Sequence, residues 1–246
     1  SLWNYTHYSD SPSLERVCAS LREHGYGIEV WPEWHDEPDL FTESGRLRLK
    51  AALQGMPVTL HTSMVANSFE RHKKQIDTAK AVGAPLVVIH PSDVYTEGTK
   101  TFDVGMTREA VAYGLEQGVR LALENGERPF LTNAVSKVDG LRICLDVGHV
   151  YLHHELMSDF LAELGEKLIH LHIQELLSEV ELAQLPKTMK DHYIPGTGTI
   201  PHADWELLGR TLKKVNYHGA LVFEIQPRRP LQTALLGKEF LHTVGL

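Results

Sequence analysis

The sequence predicts an α/β protein that folds as one (β/α)8 TIM barrel over residues 1–246. Seven short apolar runs rich in Val, Ile and Leu are typical of buried parallel strands. Amphipathic, helix-like segments separate these runs, and each run contains or ends in a residue that can bind a metal ion. The runs are GIEVW, VTLH, LVVIH, VRLALE, RICLDVGH, KLIHLH and ALVFE.

The spacing of the runs supports a barrel. From Glu29 to Asp146 the metal-binding residue types recur every 22 to 34 residues, against about 31 for eight units in a 250-residue barrel. The interval from His172 to Glu224 is longer and indicates an insertion. An open, doubly wound sheet is the alternative, but no G-x-G-x-x-G follows a first strand.

The elements follow in order. Leu2–Tyr8 is the candidate first strand, and apolar side chains on one face of Ser13–His24 predict a helix that Gly25 ends. The other predicted helices are Ser44–Gly55, Ala66–Val82, Thr107–Gly118, Leu131–Val138, Ser158–Gly165, Ala203–Val215 and Leu231–Thr243.

Composition excludes several classes of protein. The net charge of -8 argues against sequence-independent binding of nucleic acid, which depends on Lys and Arg. Cys18 and Cys144 are expected to be buried free thiols rather than a disulfide. The sequence shows no signal peptide and no long apolar segment, so we expect a cytoplasmic protein without a membrane partner.

The ends of the predicted strands carry the chemistry. In a barrel, the carboxyl ends of the strands meet at one face. Imidazoles and carboxylates are the usual ligands of Zn²⁺, Mn²⁺, Co²⁺ and Fe²⁺, and an ion would offset the cost of burying so many of them together. A single histidine or carboxylate at the end of a strand is usually structural, but here six different strands each supply a residue of this type. The convergent residues are His61, His90, Glu124, Asp146, His149, His172 and Glu224.

A loop over residues 189–205 is the candidate substrate loop. Gly196 allows close approach of the backbone to a ligand, and Asp191 and His192 precede it. P-G-T-G alone indicates only a turn, but substrate sites often form after the seventh strand of a barrel. Glu29 is a candidate polar contact to the substrate, and Trp31 a candidate apolar wall.

The motifs LALEN, CLDVGH, HLHIQE, DHYIPGTGTI and VFEI occur in this order. With them, the chain resembles the xylose isomerase-like TIM barrels, which include sugar isomerases, sugar epimerases and endonuclease IV. The resemblance to the ketose 3-epimerases implies one divalent ion, with zinc or manganese favoured. It also implies that two catalytic glutamates transfer protons through a metal-stabilised enediolate of a sugar or sugar phosphate. The matching ligands are Glu124, Asp146, His172 and Glu224, and Glu124 and Glu224 are the catalytic pair.

Two departures from these family patterns are visible. Ser178 stands where the 3-epimerases tend to carry an arginine. Endonuclease IV uses three zinc ions, and its pattern places an aspartate two residues before His192, where Lys190 stands and Asp191 is displaced by one. The larger ligand set implied by that enzyme is His61, His90, Glu124, Asp146, His149, His172, His192 and Glu224.

The expected function is a metal-dependent sugar or sugar-phosphate isomerase or epimerase. The alternative is a phosphodiester hydrolase that uses two or three zinc ions on abasic DNA, although the acidic tract WPEWHDEPD counts against a DNA partner. A barrel that binds a metal or sugar without turnover is a third hypothesis. The expected partner is a small sugar, and a neighbouring chain in a homo-oligomer could complete the mouth of the barrel.

Overall fold

The computed structural model describes residues 1, 12–31, 40–62, 67–184, 189–226 and 229–246. Within these ranges, seven parallel strands form one sheet in the order of the sequence, nearly closed into a barrel with helices between the strands. The predicted TIM-barrel fold is confirmed. The strands are β1 (Ile28–Val30), β2 (Val58–His61), β3 (Leu86–Ile89), β4 (Arg120–Glu124), β5 (Arg142–Asp146), β6 (Leu168–Ile173) and β7 (Ala220–Phe223).

The order of the strands decides between the two predicted topologies. Each strand pairs with the next strand in the sequence, from β1 to β7. A doubly wound sheet reverses its strand order at a switch point, so that alternative is wrong. The predicted first strand, Leu2–Tyr8, lies outside the described residues. The amino group of Ser1 donates a hydrogen bond of 2.9 Å to the carbonyl of Phe223, which places the start of the chain beside β7.

The predicted helices are confirmed to within three residues at each described end. The first residue of one of them, Ala66, lies outside the described residues. Two short helices, over residues 147–152 and 179–184, were not predicted. The helices are α1 (Leu14–Glu23), α2 (Glu43–Leu53), α3 (Phe69–Val82), α4 (Val104–Glu116), α5 (Arg128–Lys137), α6 (Val147–Leu152), α7 (Met157–Leu164), α8 (Glu179–Gln184), α9 (His202–Lys214) and α10 (Pro230–Thr243).

Side-chain caps explain where several helices begin. Thr42 accepts a hydrogen bond from the Gly45 amide before α2, and Asp103 accepts one from the Met106 amide before α4. Each cap satisfies a backbone donor that has no partner inside the helix. Asp146 caps α6 in the same way by accepting from the His149 amide at 2.9 Å. A predicted metal ligand therefore also fixes the chain that follows β5.

The main core lies between the sheet and the helices. Leu49, Ile76 and Leu123 are fully buried there. A second, smaller cluster of Leu86, Val88, Ala122 and Cys144 is also buried. Both cysteines are buried thiols, and neither forms a disulfide with a described residue, as predicted. None of the helices in the described ranges is long and apolar enough to cross a lipid bilayer.

Strand alternation arranges the interior of the barrel in layers. Because side chains alternate between the two faces of a strand, Ala122 lies on the same face of β4 as Glu124, and Cys144 lies on the same face of β5 as Asp146. The predicted ligands therefore stand one layer above small or apolar side chains. This places them at the carboxyl-terminal mouth, where TIM barrels carry their sites.

Candidate metal centre

Four successive strands bring four predicted ligands together. Glu124 ends β4, Asp146 ends β5, His172 lies in β6 and Glu224 follows β7. One ligand atom from each residue lies within 4.8 Å of the others, and all four side chains are buried. We call these residues the inner group. Three carboxylates and one imidazole suit a divalent ion such as Zn²⁺ or Mn²⁺.

The two glutamates flank one nitrogen of the histidine. His172 Nδ1 lies 3.2 Å from Glu124 Oε1 and 3.6 Å from Glu224 Oε2. Burial raises the pKa of the Glu224 carboxyl, but the neighbouring His172 and His192 outweigh burial and lower this pKa to about 2. Burial also raises the pKa of Glu124, and hydrogen bonds from His172 and His61 hold it well below its usual range. Both carboxylates are therefore ionised and able to bind a cation.

A second group shares Glu124 with the first. Ligand atoms of His61, His90 and Glu124 lie within 4.8 Å of one another. The Nε2 atoms of His61 and His90 lie 3.5 Å and 3.2 Å from Glu124 Oε2. The ring of Trp31 stacks on the ring of His61, with 4.4 Å between their centroids. This arrangement resembles a pair of adjacent ion sites joined by one carboxylate.

Scaffold groups orient both rings of this second group. His61 Nδ1 lies 2.8 Å from the Thr62 carbonyl, and His90 Nδ1 lies 3.3 Å from the Thr62 hydroxyl. Asp93 lies behind His90, where it accepts hydrogen bonds from the His90 amide at 2.9 Å and from the Thr62 hydroxyl. In both histidines Nδ1 faces the scaffold, so Nε2 is left to bind an ion.

A third group lies at the end of β5 and in the loop after β6. It contains Asp146, His149 and His192, whose ligand atoms also lie within 4.8 Å of one another. Asp191 joins it, since its Oδ2 lies 3.8 Å from His149 Nε2 and its Oδ1 lies 3.1 Å from His192 Nδ1. The one-residue displacement of this aspartate does not remove its side chain from the group. Lys190 contacts Glu179 instead, at 2.9 Å.

The backbone and the charge of His192 are both unusual. Its φ of 68° lies in the left-handed region, which non-glycine residues seldom adopt. Burial lowers the pKa of its ring, but Asp191 and Glu224 outweigh burial and raise this pKa to about 10. The ring is therefore protonated at neutral pH in the metal-free protein.

Sequence reasoning missed two polar residues that connect the groups. Gln174 donates to both carboxylate oxygens of Asp146, at 2.9 and 2.8 Å, and accepts from the His192 amide at 2.6 Å. Asn125 donates to the Asp146 carbonyl and accepts from the Asp146 amide. Both lie in motifs already singled out, HLHIQE and LALEN, next to or near a ligand. A side-chain amide that is buried beside a metal ligand needs hydrogen-bond partners. The positions of Asn125 and Gln174, next to or near predicted ligands, were therefore the signal in the sequence.

Glu175 holds the candidate substrate loop. Its carboxylate accepts hydrogen bonds from the amides of Leu176 at 3.0 Å, Ile200 at 2.9 Å and Gly196 at 3.3 Å. A Cβ atom on Gly198 would lie 2.0 Å from the Leu176 carbonyl oxygen. The loop is therefore built around this buried carboxylate.

The structure gives other surroundings to several residues predicted to bind substrate. A Cβ atom on Gly196 would lie 2.4 Å from the Phe240 ring, and the φ of Gly196 is +80°, so packing and backbone geometry both require glycine. Glu29 is fully buried and contacts His170 and His172. Ser178, which stands where the 3-epimerases tend to carry an arginine, caps α8 by accepting from the Glu181 amide. Substrate contacts by Glu29, Trp31, Asp191 and Gly196 stay predictions.

Known proteins resemble this chain in sequence and in fold. D-psicose 3-epimerase from Enterocloster bolteae is 30% identical over 84 residues, which are 34% of this chain and 22% of that relative. The chain therefore spans about a fifth of that relative's length in this match. The structure of 3-keto-D-glucoside 4-epimerase from E. coli superposes with a TM-score of 0.69 at 17% identity, covering 96% of this chain and 97% of that one.

A third relative was solved with a metal ion. It is a xylose isomerase-like TIM barrel protein from Mycobacterium smegmatis in complex with magnesium, with a TM-score of 0.71 at 15% identity. The match covers 99% of this chain and 94% of that one. The sequence model of one family, described as xylose isomerase-like TIM barrel, matches residues 18–242. The chain therefore belongs to the xylose isomerase-like TIM barrel family.

Proposed function

We propose that this protein is a divalent-metal-dependent isomerase or epimerase of a sugar or sugar phosphate. The observation that carries the proposal is the inner group, in which two ionised glutamates lie on either side of His172 Nδ1. The four ligands fit one ion, with zinc and manganese favoured by their chemistry. Such an ion would polarise a carbonyl oxygen of the sugar and stabilise negative charge that develops there.

The two glutamates supply the acid and base of the proposed reaction. Glu124 or Glu224 takes the proton from the carbon next to the carbonyl, and the other glutamate or a water returns a proton. Their low pKa values keep both carboxylates ionised at neutral pH, so either one can take the proton. The other glutamate returns a proton only after it has received one from water. Because β5 and β6 separate β4 from β7 in the sheet, the two carboxylates approach the inner group from different strands and can act on different faces of one substrate.

The comparisons support the same class of reaction. The relative in sequence is named as a sugar epimerase, as is the structural neighbour from E. coli. Another neighbour, D-allulose 3-epimerase from Methylomonas sp., was solved in complex with D-allulose. Ser178 stands where the ketose 3-epimerases tend to carry an arginine, which argues against a strict 3-epimerase assignment.

Exchange with solvent deuterium tests the proposal. The protein is loaded with Mn²⁺ or Zn²⁺ and incubated in D₂O with ketoses, aldoses and their phosphates, and NMR follows deuterium at the carbon next to the carbonyl. We expect metal-dependent exchange into at least one sugar, and its loss in Glu124→Gln and Glu224→Gln. Exchange into none of these sugars by the metal-loaded wild type would refute the proposal.

A hydrolase is the second candidate, and the other two ligand groups favour it. His61 and His90 with Glu124, and His149 and His192 with Asp146, could hold further ions beside the first. Adjacent ions can stabilise the attacking and leaving oxygens of a phosphodiester. Elemental analysis separates the candidates: one ion per chain favours isomerisation, and two or three favour hydrolysis. Incision of a duplex with an abasic site would establish the hydrolase.

A further inference from the structure

Glu29 lies inside the barrel, below the mouth. It occupies the middle of β1, pairs in register with Thr59 of β2, and is fully buried. Burial raises the pKa of its carboxyl, but His172 and His170 outweigh burial and hold this pKa well below its usual range. An ionised carboxylate in this position needs donors around it, because an unpaired buried charge is costly.

The two oxygens of Glu29 have different partners. Oε2 accepts a hydrogen bond from the Thr59 hydroxyl at 3.0 Å and lies 2.8 Å from His170 Nε2. Oε1 lies 3.1 Å from Nε2 of His172. Both atoms are buried, and among the described residues neither has a well-aligned hydrogen bond. The 3.1 Å contact brings the carboxylate and the imidazole together, and the Cys144 thiol also lies close to the His172 ring.

The opposite nitrogen of His172 faces the inner group. Nδ1 lies between Glu124 and Glu224, where the proposed ion would bind. A histidine that binds an ion through one nitrogen carries its proton on the other nitrogen, which then needs an acceptor. On the described part of the chain, Glu29 Oε1 is the carboxylate oxygen in contact with that nitrogen.

We propose that Glu29 is a positioning residue, which accepts the Nε2 proton of His172 and so fixes the tautomer and ring orientation of this ligand for an ion bound at Nδ1. Thr59 and His170 hold Glu29 in place through its other oxygen. The proposal rests on the proposed metal centre, but it concerns a residue that touches neither the ion nor the sugar. This role is an alternative to the predicted contact between Glu29 and substrate.

A competing arrangement makes Glu29 a ligand itself. Glu29, His61, His172 and Glu224 also form a group with ligand atoms within 4.8 Å. In that arrangement the ion would bind Nε2 of His172, and Nδ1 would carry the proton toward Glu124. The two arrangements therefore differ in which nitrogen of His172 is protonated in the metal-bound protein.

The first measurement is ¹⁵N NMR of Zn²⁺-loaded wild-type protein labelled at histidine, with His172 assigned by comparison with His172→Gln. We expect the proton on Nε2 and the metal on Nδ1. The reverse assignment would overturn the proposal in favour of Glu29 as a ligand. This measurement needs no substitution at Glu29, so a variant that fails to fold does not affect it.

The second measurement is Zn²⁺ affinity, determined by competition with a chelator. Removal of an outer hydrogen-bond partner of a metal-bound histidine typically weakens binding about 10- to 100-fold. Glu29→Gln keeps one weaker acceptor, so we expect its zinc affinity to fall by about 10-fold. Glu29→Met keeps no acceptor, so we expect its zinc affinity to fall by about 100-fold. Thr78→Val is the matched control, because it also changes a fully buried polar residue but lies in α3.

The outcomes separate this proposal from the proposed function. Affinity of Glu29→Gln and Glu29→Met within twofold of wild type, with a folded far-UV circular dichroism spectrum, would overturn the positioning role alone. Loss of a whole equivalent of zinc, rather than weaker binding, would also overturn it and favour direct ligation. A wild-type protein that binds no divalent ion would overturn both proposals.

Discussion

Replacement of Glu175 tests how the loop over residues 189–205 is held. In Glu175→Ala, three backbone amides lose their acceptor: those of Leu176, Gly196 and Ile200. A hydrogen bond to a charged group contributes about 1.5–3 kcal/mol. Burial of the carboxylate offsets part of this sum, as its raised pKa shows. We therefore expect Glu175→Ala to lower the free energy of unfolding by about 3–5 kcal/mol.

Glu175→Gln gives a smaller effect for a geometric reason. Oε1 accepts from the amides of Leu176 and Ile200, and Oε2 accepts from the amide of Gly196. A glutamine can keep its oxygen at the first position, but its amino group then faces the Gly196 donor. One hydrogen bond is lost, so we expect a decrease of about 1.5–3 kcal/mol.

Urea unfolding followed by circular dichroism measures both changes. The control is Glu206→Ala, since Glu206 is a half-exposed residue of α9 whose ion-pair partners, His202 and Arg210, are exposed. Such surface pairs contribute about 0–1 kcal/mol. Glu175→Ala within 1 kcal/mol of wild type, or a Gln variant less stable than the Ala variant, would refute the hydrogen-bond argument.

Three further predictions concern the loop and the metal groups. Gly198→Ala should lower the free energy of unfolding by about 2 kcal/mol or more, because its Cβ would overlap the Leu176 carbonyl. In the control Gly105→Ala, the new Cβ would lie 3.5 Å from the Asp103 carboxylate, so the free energy of unfolding should change by less than about 1 kcal/mol. Equal effects of the two substitutions would contradict this prediction. Because the pKa of His192 is raised to about 10, an ion that binds this ring must displace its proton. The affinity of the third group for zinc should therefore rise from pH 7 to pH 9, as titration calorimetry would measure, and an affinity that does not change with pH would contradict this. His90→Gln should leave the inner group loaded with its ion, as elemental analysis would show, because His90 belongs to the second group alone; loss of all metal would contradict this.

Much of this fold follows from local patterns in the sequence. Apolar runs and helix caps fixed seven strands and eight helices, because burial and backbone hydrogen bonding act over a few residues. The short helices α6 and α8 were missed. Helix α6 follows β5 directly, so its start depends on Asp146, which looked only like a ligand. In α8 none of the residues is buried, so its sequence has no apolar face from which a helix could be predicted.

The site was partly predictable for the same reason. Strand ends identified the candidate ligands, and the structure brings them into three adjoining groups. The partners of those ligands come from distant positions, such as Gln174 between Asp146 and His192. Periodicity cannot reveal such contacts, because they depend on the closure of the barrel. Glu29 shows this most clearly, since its layer below the mouth is set by the three-dimensional packing.

Anomalous scattering from crystals soaked in Mn²⁺ tests the central claim most directly. The account predicts a strong peak bound by Glu124, Asp146, His172 and Glu224, with the ion at His172 Nδ1. Weaker or additional peaks at the other two groups would be compatible with it and would count the ions of the hydrolase alternative. A peak absent from the inner group, or present only between His61 and His90, would contradict the account.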